Sequence, residues 1–243
     1  MKVQLIASTK VWTGAFEQLS TEGAYEADYL AEFAGRACYQ SWNRPNAKTA
    51  TNAGYLANIV KQAHFSVLEH ASATFYVEGV SRSLTHELVR HRHLSYSQLS
   101  QRYVDESDVE FVKPSGLADY DPAAELLDGD VHRESDPITG HFYELAEMTR
   151  RLYEAAVEDL RKRGFTRKEA RQAARAILPN MTETKIVVTG NMRAWRDFLG
   201  KRWHVAADAE IREFAGMILD QLRSIAPNSF ADVPEKPHGT REV

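Results

Sequence analysis

The chain has 243 residues, 43% of them hydrophobic and 26% charged, with a formal net charge of −4 and a pI near 6.2. That balance suits a folded globular protein with a core of useful size and argues against bulk electrostatic attraction to nucleic acid. One cysteine, Cys38, excludes an intramolecular disulfide and fits a reducing cytoplasm.

The first residues, MKVQLIASTKVW, lack the apolar length and cleavage site of a secretory signal. No apolar run is long enough to span a bilayer. The expectation is therefore a cytoplasmic protein with no membrane partner. Residues 2–7 alternate and predict a strand. Residues 25–39 predict a helix with Tyr29, Leu30, Phe33 and Ala37 on one side. Residues 41–48, with Asn43, Pro45 and Asn46, read as a loop. A helix over 52–62 turns Leu56, Ile59 and Val60 inward, and Ala73, Phe75 and Val77 alternate in a strand over 71–77. Ser81 suits the N-cap of a helix running to about Arg92, fraying into a loop that carries Ser95, Ser97 and Ser100.

Residues 109–112 predict a short strand. Residues 113–137 are rich in Asp, Pro and Gly and read as an insertion or mobile loop. Phe142, Leu145, Ala146, Thr149, Leu152, Tyr153, Ala156, Val157 and Leu160 mark a helix over 142–160. Thr166 caps another helix to Leu178, stopped by Pro179. Residues 184–189 predict a strand, and 191–203 and 207–224 predict helices, the second with Ile211, Phe214, Ala215, Ile218, Leu219 and Leu222 inward. Helix dominates, so the fold expected is α+β: a single domain with a small, mainly antiparallel sheet flanked by helices. The strand order is not legible.

Four segments carry chemistry. The first, 85–103, reads THELVRHRHLSYSQLSQRY. Between Arg82 and Arg102 the only acid is Glu87. On a helix, Glu87, Arg90 and His91 share a face, and a surface ion pair is the plain explanation for the first two. The arginines and hydroxyls that follow suit an anion cradle better. His86, His91 and His93 lack a carboxylate or thiolate to complete a ligand set, so no metal is expected. Ser100 has neither a nucleophile elbow nor an evident Asp–His partner. The second segment, His64 to His70, reads as a loop capped by Ser66. In the third, Arg175 lies among Ala173, Ala174, Ala176, Ile177 and Leu178 and needs a partner anion. In the fourth, Asn191, Trp195, Phe198 and Arg202 share one helical face, as an ordinary core edge would. An RNA- or nucleotide-binding module built on Arg90 to Arg102 stays open beside an enzyme site.

Together these segments resemble the flavin-dependent thymidylate synthases. The resemblance rests on Arg90-His91-Arg92, Ser95, Ser100, Arg102 and Tyr103. His64-x-Ser66-x-x-Glu69-His70, Arg175-Ala-Ile-Leu-Pro179 and the block from Asn191-x-Arg193 to Arg202 add to it. It covers residues 34–212. It implies an enzyme that methylates dUMP to dTMP with 5,10-methylenetetrahydrofolate and FAD, the flavin being re-reduced by NADPH. It also implies a homotetramer with shared active sites. Carried over, Ser66, Arg90, His91, Arg92, Gln98, Asn191, Arg193 and Asp197 contact FAD. Glu87, Arg90, Gln98, Ser100, Gln101, Arg102, Arg175 and Arg202 hold dUMP. His64 and Tyr103 lie on the folate side. Arg202, Ser100 and His64 are the catalytic candidates, with Arg202 favouring loss of the uracil N3 proton. Two positions depart from the family pattern. Asp197 stands where relatives have Asn or His, and it would pair with Arg193. Glu87 stands where Gln is common, and it would need Arg90 for compensation. Such chemistry needs no protein nucleophile, which leaves Cys38 a structural role or a place near the flavin.

Overall fold

Apolar Ala73, Phe75 and Val77, alternating with more polar neighbours, build the inner face of the first strand pair. A computed structural model describes residues 1–12, 25–42, 46–117 and 137–240. In it β1 (Lys2–Ser8) runs antiparallel to β2 (Ser72–Ser81), with Lys2 opposite Glu78 and Leu5 opposite Phe75. The register shifts between Leu5 and Ala7, so one extra residue bends β1 locally. Ala73, Phe75 and Val77 are buried, as their alternation predicts. With β3 (Ser95–Gln98) and β4 (Glu183–Asn191) the strands form one open sheet in the order β1-β2-β4-β3. Seven α-helices and three 3-10 turns complete the described elements. The fold is α+β, as expected.

The described residues fall into two compact units. The first comprises Met1–Glu78, His86–Ser97 and Ile186–Val243. It holds α1 (Glu26–Tyr39), α2 (Asn52–Lys61), a 3-10 turn at Phe65–Glu69, α6 (Met192–Arg202) and α7 (Ala209–Ile225). Thr51 caps α2 through Gly54 N–H, and Asp208 caps α7 through Glu210 N–H. Ile211, Phe214, Ala215, Ile218, Leu219 and Leu222 of α7 are all buried, matching the sequence pattern. On α1 the buried face is less apolar than expected. It takes in Glu32 and Arg36, paired at 2.6 Å with side chains only 7% and 5% exposed. The Arg36 guanidinium also covers the Tyr55 ring, which spreads the cost of burying its charge. Cys38, given a structural role or a place near the flavin, is exposed on α1.

The second unit comprises Gly79–Thr85 and Gln98–Lys185. It holds α4 (Pro137–Lys162) packed on α5 (Arg167–Ala174), followed by a 3-10 turn at Arg175–Ile177. Thr166 and Glu169 form a complete capping box at the start of α5. α4 buries Phe142, Ala146, Thr149 and Tyr153 but leaves Leu145 and Leu152 exposed, so only part of the predicted apolar face is covered.

Three sequence expectations are corrected. The helix begun at Ser81 ends at Leu88, giving α3 (Arg82–Leu88), not near Arg92. Residues 95–98, expected in a loop, form β3. The strand expected at 109–112 is a single bridge, Phe111 to Thr182. Residues 118–136 of the stretch expected to be a mobile loop, and 43–45 of the loop expected at 41–48, lie outside the described residues.

Candidate active site

In the first unit, local packing fixes α6 before any polar group is placed. Asn191 is its N-cap, the side-chain oxygen accepting from Ala194 N–H at 2.8 Å. Gly190 leaves room for this start. A Cβ there would lie 2.2 Å from Leu94 Cδ2 and 3.2 Å from Trp195 Nε1. Edge-to-face rings then run from Phe75 to Trp195, to Phe198 and on to Phe214. The His91 imidazole meets the Phe198 ring edge at a centroid distance of 5.1 Å.

Against this rigid face Arg202 closes α6. Its Nη1 donates to Glu87 Oε2 at 2.5 Å, its Nη2 to the Glu87 carbonyl at 3.4 Å, and its Nε to His91 Nε2 at 3.0 Å. Because Nε2 accepts, the neutral imidazole carries its proton on Nδ1, which faces Asp197 Oδ2 at 3.9 Å. Burial first, and then Arg202, push His91 down to about 4. The ring is therefore a neutral acceptor at pH 7, not a cation. Glu87 is compensated by Arg202 rather than by Arg90. Arg90 cannot lie on its helical face because α3 has already ended.

The remaining first-unit candidates are more open. Asp197 pairs with Lys201 at 2.7 Å and not with Arg193, which pairs with Glu69. Ser66 is exposed on the 3-10 turn and makes no side-chain cap there. His64 stacks loosely on Tyr39, centroids 6.3 Å apart. Arg90 and Arg92 are exposed and make no ion pair among the described residues.

The second unit carries the other candidates. Gln98 donates from Nε2 to Thr85 and Thr184 hydroxyls, each at 3.2 Å. The carbonyl of Ser100 accepts from Tyr103 and Val104 N–H, so residues 100–104 make a tight turn. On that turn Gln101 is buried, Arg102 half-buried and Tyr103 exposed. Arg171 holds the turn through the Tyr103 carbonyl at 2.7 Å and the Asp105 carboxylate. Lys168 lies over the Tyr103 ring and holds its hydroxyl below the usual phenol range. Arg175 is exposed at the end of α5. Among the described residues no three His, Cys, Asp or Glu side chains converge as a metal site. Lys168 and Glu106 belong to no segment singled out from the sequence. Lys168 reaches this neighbourhood through tertiary packing and Glu106 closely follows the turn, but no local pattern marks either.

The model of the family described as thymidylate synthase complementing protein matches residues 22–228. The chain belongs to the flavin-dependent thymidylate synthase family. It is similar to the flavin-dependent thymidylate synthase of Mycolicibacterium vanbaalenii, 53% identical over 96% of this chain and 89% of that protein. It is also similar to the enzymes of that name from Mycobacterium tuberculosis and Mycobacterium avium, each 52% identical over the same shares. Within this family member, Glu87, His91 and Arg202 form one connected group, and Asp197 touches its edge.

Proposed function

We propose that the protein is a flavin-dependent thymidylate synthase that makes dTMP from dUMP, with 5,10-methylenetetrahydrofolate as carbon donor, FAD as cofactor and NADPH as reductant. The observation that carries this reading is identity at half or more of the aligned residues with enzymes of that name along nearly the whole chain. We assign the whole chain to one catalytic domain, working as a cytoplasmic homotetramer with shared active sites.

The residues present fit FAD. Exposed Arg90 and Arg92, paired with no acid among the described residues, suit a pyrophosphate, and exposed Ser66 adds a hydroxyl. With His91, Gln98, Asn191, Arg193 and Asp197 they are the set that would hold the flavin. Bound there, the flavin, once reduced by NADPH, would supply the hydride that completes the methyl group.

The chain's own work is binding and electrostatics. Gln98, Ser100, Gln101, Arg102, Arg175, Glu87, Arg90 and Arg202 are assigned to dUMP, and His64 and Tyr103 to the folate side. Arg202 is the residue tied most directly to chemistry. Its guanidinium, oriented by Glu87 and by a neutral His91, favours negative charge on the pyrimidine as N3 loses its proton, and that raises the nucleophilicity of the ring carbon. His91 adds no charge of its own to oppose that. Ser100 positions the nucleotide and does not attack it.

The test is direct. The purified protein is expected to be yellow, to release FAD on denaturation, and to convert dUMP to dTMP only with NADPH and methylenetetrahydrofolate present. A protein that stays colourless after reconstitution with FAD defeats the reading. Arg202→Ala is expected to keep its fold and flavin while losing about 10²- to 10³-fold in turnover. Wild-type turnover in that variant removes Arg202 from the mechanism.

A further inference from the structure

Glu106 is 2% exposed, and neither carboxylate oxygen has a hydrogen-bond partner among the described residues. It belongs to the second unit, directly after the turn that carries Gln101 and Arg102. Gln101, itself 7% exposed, faces Glu106 without closing a hydrogen bond. Arg82, at the start of α3, is the cation that draws on the carboxylate, while Asp105 and Glu183 oppose its charge. The Tyr153 hydroxyl of α4 lies against the Glu106 backbone, within reach of Arg171. Arg175 lies near enough to Arg82 to repel it. Among the described residues, Arg82 Nε, Arg102 Nε and Gln101 Nε2 are buried donors without acceptors. Donors and acceptors left open together, in one unit, call for a physical account.

A rearrangement on ligand binding supplies one. While Glu106 is the acid that neutralises Arg82 among the described residues, the two stay loosely apposed. An anion arriving beside Arg82 and Arg175 takes over that role and repels the buried carboxylate. A neutral carboxyl can then accept from Gln101 and donate its own proton, fixing the turn. We propose that Glu106 is a positioning residue for the nucleotide phosphate: it aligns Gln101 and Arg82, and its carboxylate takes up one proton from solvent as the phosphate binds. Glu106 COO⁻ becomes COOH, the buffer losing the proton. Burial already holds this carboxyl up at about 7, so at neutral pH a small push completes the uptake.

The inference rests on assigning dUMP to Gln101, Arg102 and Arg175, and the experiment separates the two. Calorimetric titration of the flavin-loaded protein with dUMP, and separately with inorganic phosphate, in two buffers of different ionisation enthalpy counts protons taken up. Wild type is expected to take up a fraction of a proton at pH 7.5, and Glu106→Gln to lose that uptake. Between pH 6.5 and 8.5, wild-type affinity should fall roughly tenfold relative to Glu106→Gln, one pH-linked unit of free energy. Glu106→Asp keeps a titrating group and should retain the uptake with weaker binding, which serves if the Gln variant does not fold. Equal proton counts in wild type and Glu106→Gln overturn the role of Glu106 while leaving the substrate reading intact. Uptake through Glu106 with inorganic phosphate, but no dUMP binding, upholds Glu106 and removes the substrate.

Discussion

At the scale of single residues, the joining of His91 to Arg202 decides what the arginine-histidine stretch can do. Sequence spacing marks His91 as part of a cationic triplet, yet the ring is buried, neutral and an acceptor. Its partner lies 111 residues away, a separation that no local pattern reports. The pH consequence has a definite sign. Because the folded imidazole sits at about 4, below its ordinary 6.5, the unfolded chain binds more protons in that window. Stability is therefore full above pH 6.5 and falls as pH drops towards 4. The loss from this one group is about 3 kcal/mol. His91→Gln keeps an acceptor for Arg202 and removes the titration. Its thermal midpoint should decline less than that of wild type between pH 7 and 4.5, and parallel declines would show that His91 does not titrate in this way. Asp197 teaches the same lesson by a shorter route. Two cations lie four residues either side of it, and the one chosen, Lys201, is settled by Glu69 having claimed Arg193.

Among the elements, legibility follows how local the deciding interaction is. α2, α5 and α7 carry their own caps, so their existence reads directly from the chain, and α7 shows its inward residues as well. α3 does not. Its periodicity runs on past Leu88, but the Tyr96 hydroxyl lies 2.6 Å from the Leu88 carbonyl and 2.8 Å from the His91 carbonyl. Those carbonyls are thereby satisfied outside the helix. β3 is hidden for a related reason: Ser-Tyr-Ser-Gln has no apolar alternation, and only pairing in the sheet makes it a strand. Tyr96→Phe removes this stop. A cost of about 1–2 kcal/mol is expected in denaturant unfolding, with faster amide exchange over residues 88–94. Unaltered exchange there would show that the turn closes without the hydroxyl. Gly190→Ala tests the start of α6. The added methyl drives into buried Leu94 beside Trp195 and should cost about 1–3 kcal/mol by overpacking. A variant as stable as wild type would mean that Leu94 moves aside freely.

For the molecule as a whole, the chain order conceals the organisation. The two units exchange the chain after Glu78, Thr85, Ser97 and Lys185. β2, α3, β3 and β4 each run across one of these crossings, so no linker or composition shift marks one. The first unit is tied end to end by a polar chain that the sequence likewise does not announce. Asp28, fully buried on α1, accepts from Asn228 N–H at 2.8 Å and from Ser229 N–H and hydroxyl at 2.9 and 2.5 Å. Asn228 donates to Asn52 at 2.8 Å, and Asn52 donates to Glu32 at 2.9 Å and to the Asp28 carbonyl at 3.0 Å. Glu32 in turn holds Arg36. Burial raises the Asp28 carboxyl above its ordinary value, and these donors pull against it. In Asp28→Asn one carboxylate oxygen becomes an amide that points a donor at the Asn228 N–H. A loss of about 1–3 kcal/mol follows, which in a domain of this size lowers the thermal midpoint by roughly 2–4 °C per kcal/mol. If the network acts as a unit, Asn52→Ala added to Asp28→Asn should cost less than the sum of the single changes. Strict additivity would show that the C-terminal turn is held by Asp28 alone.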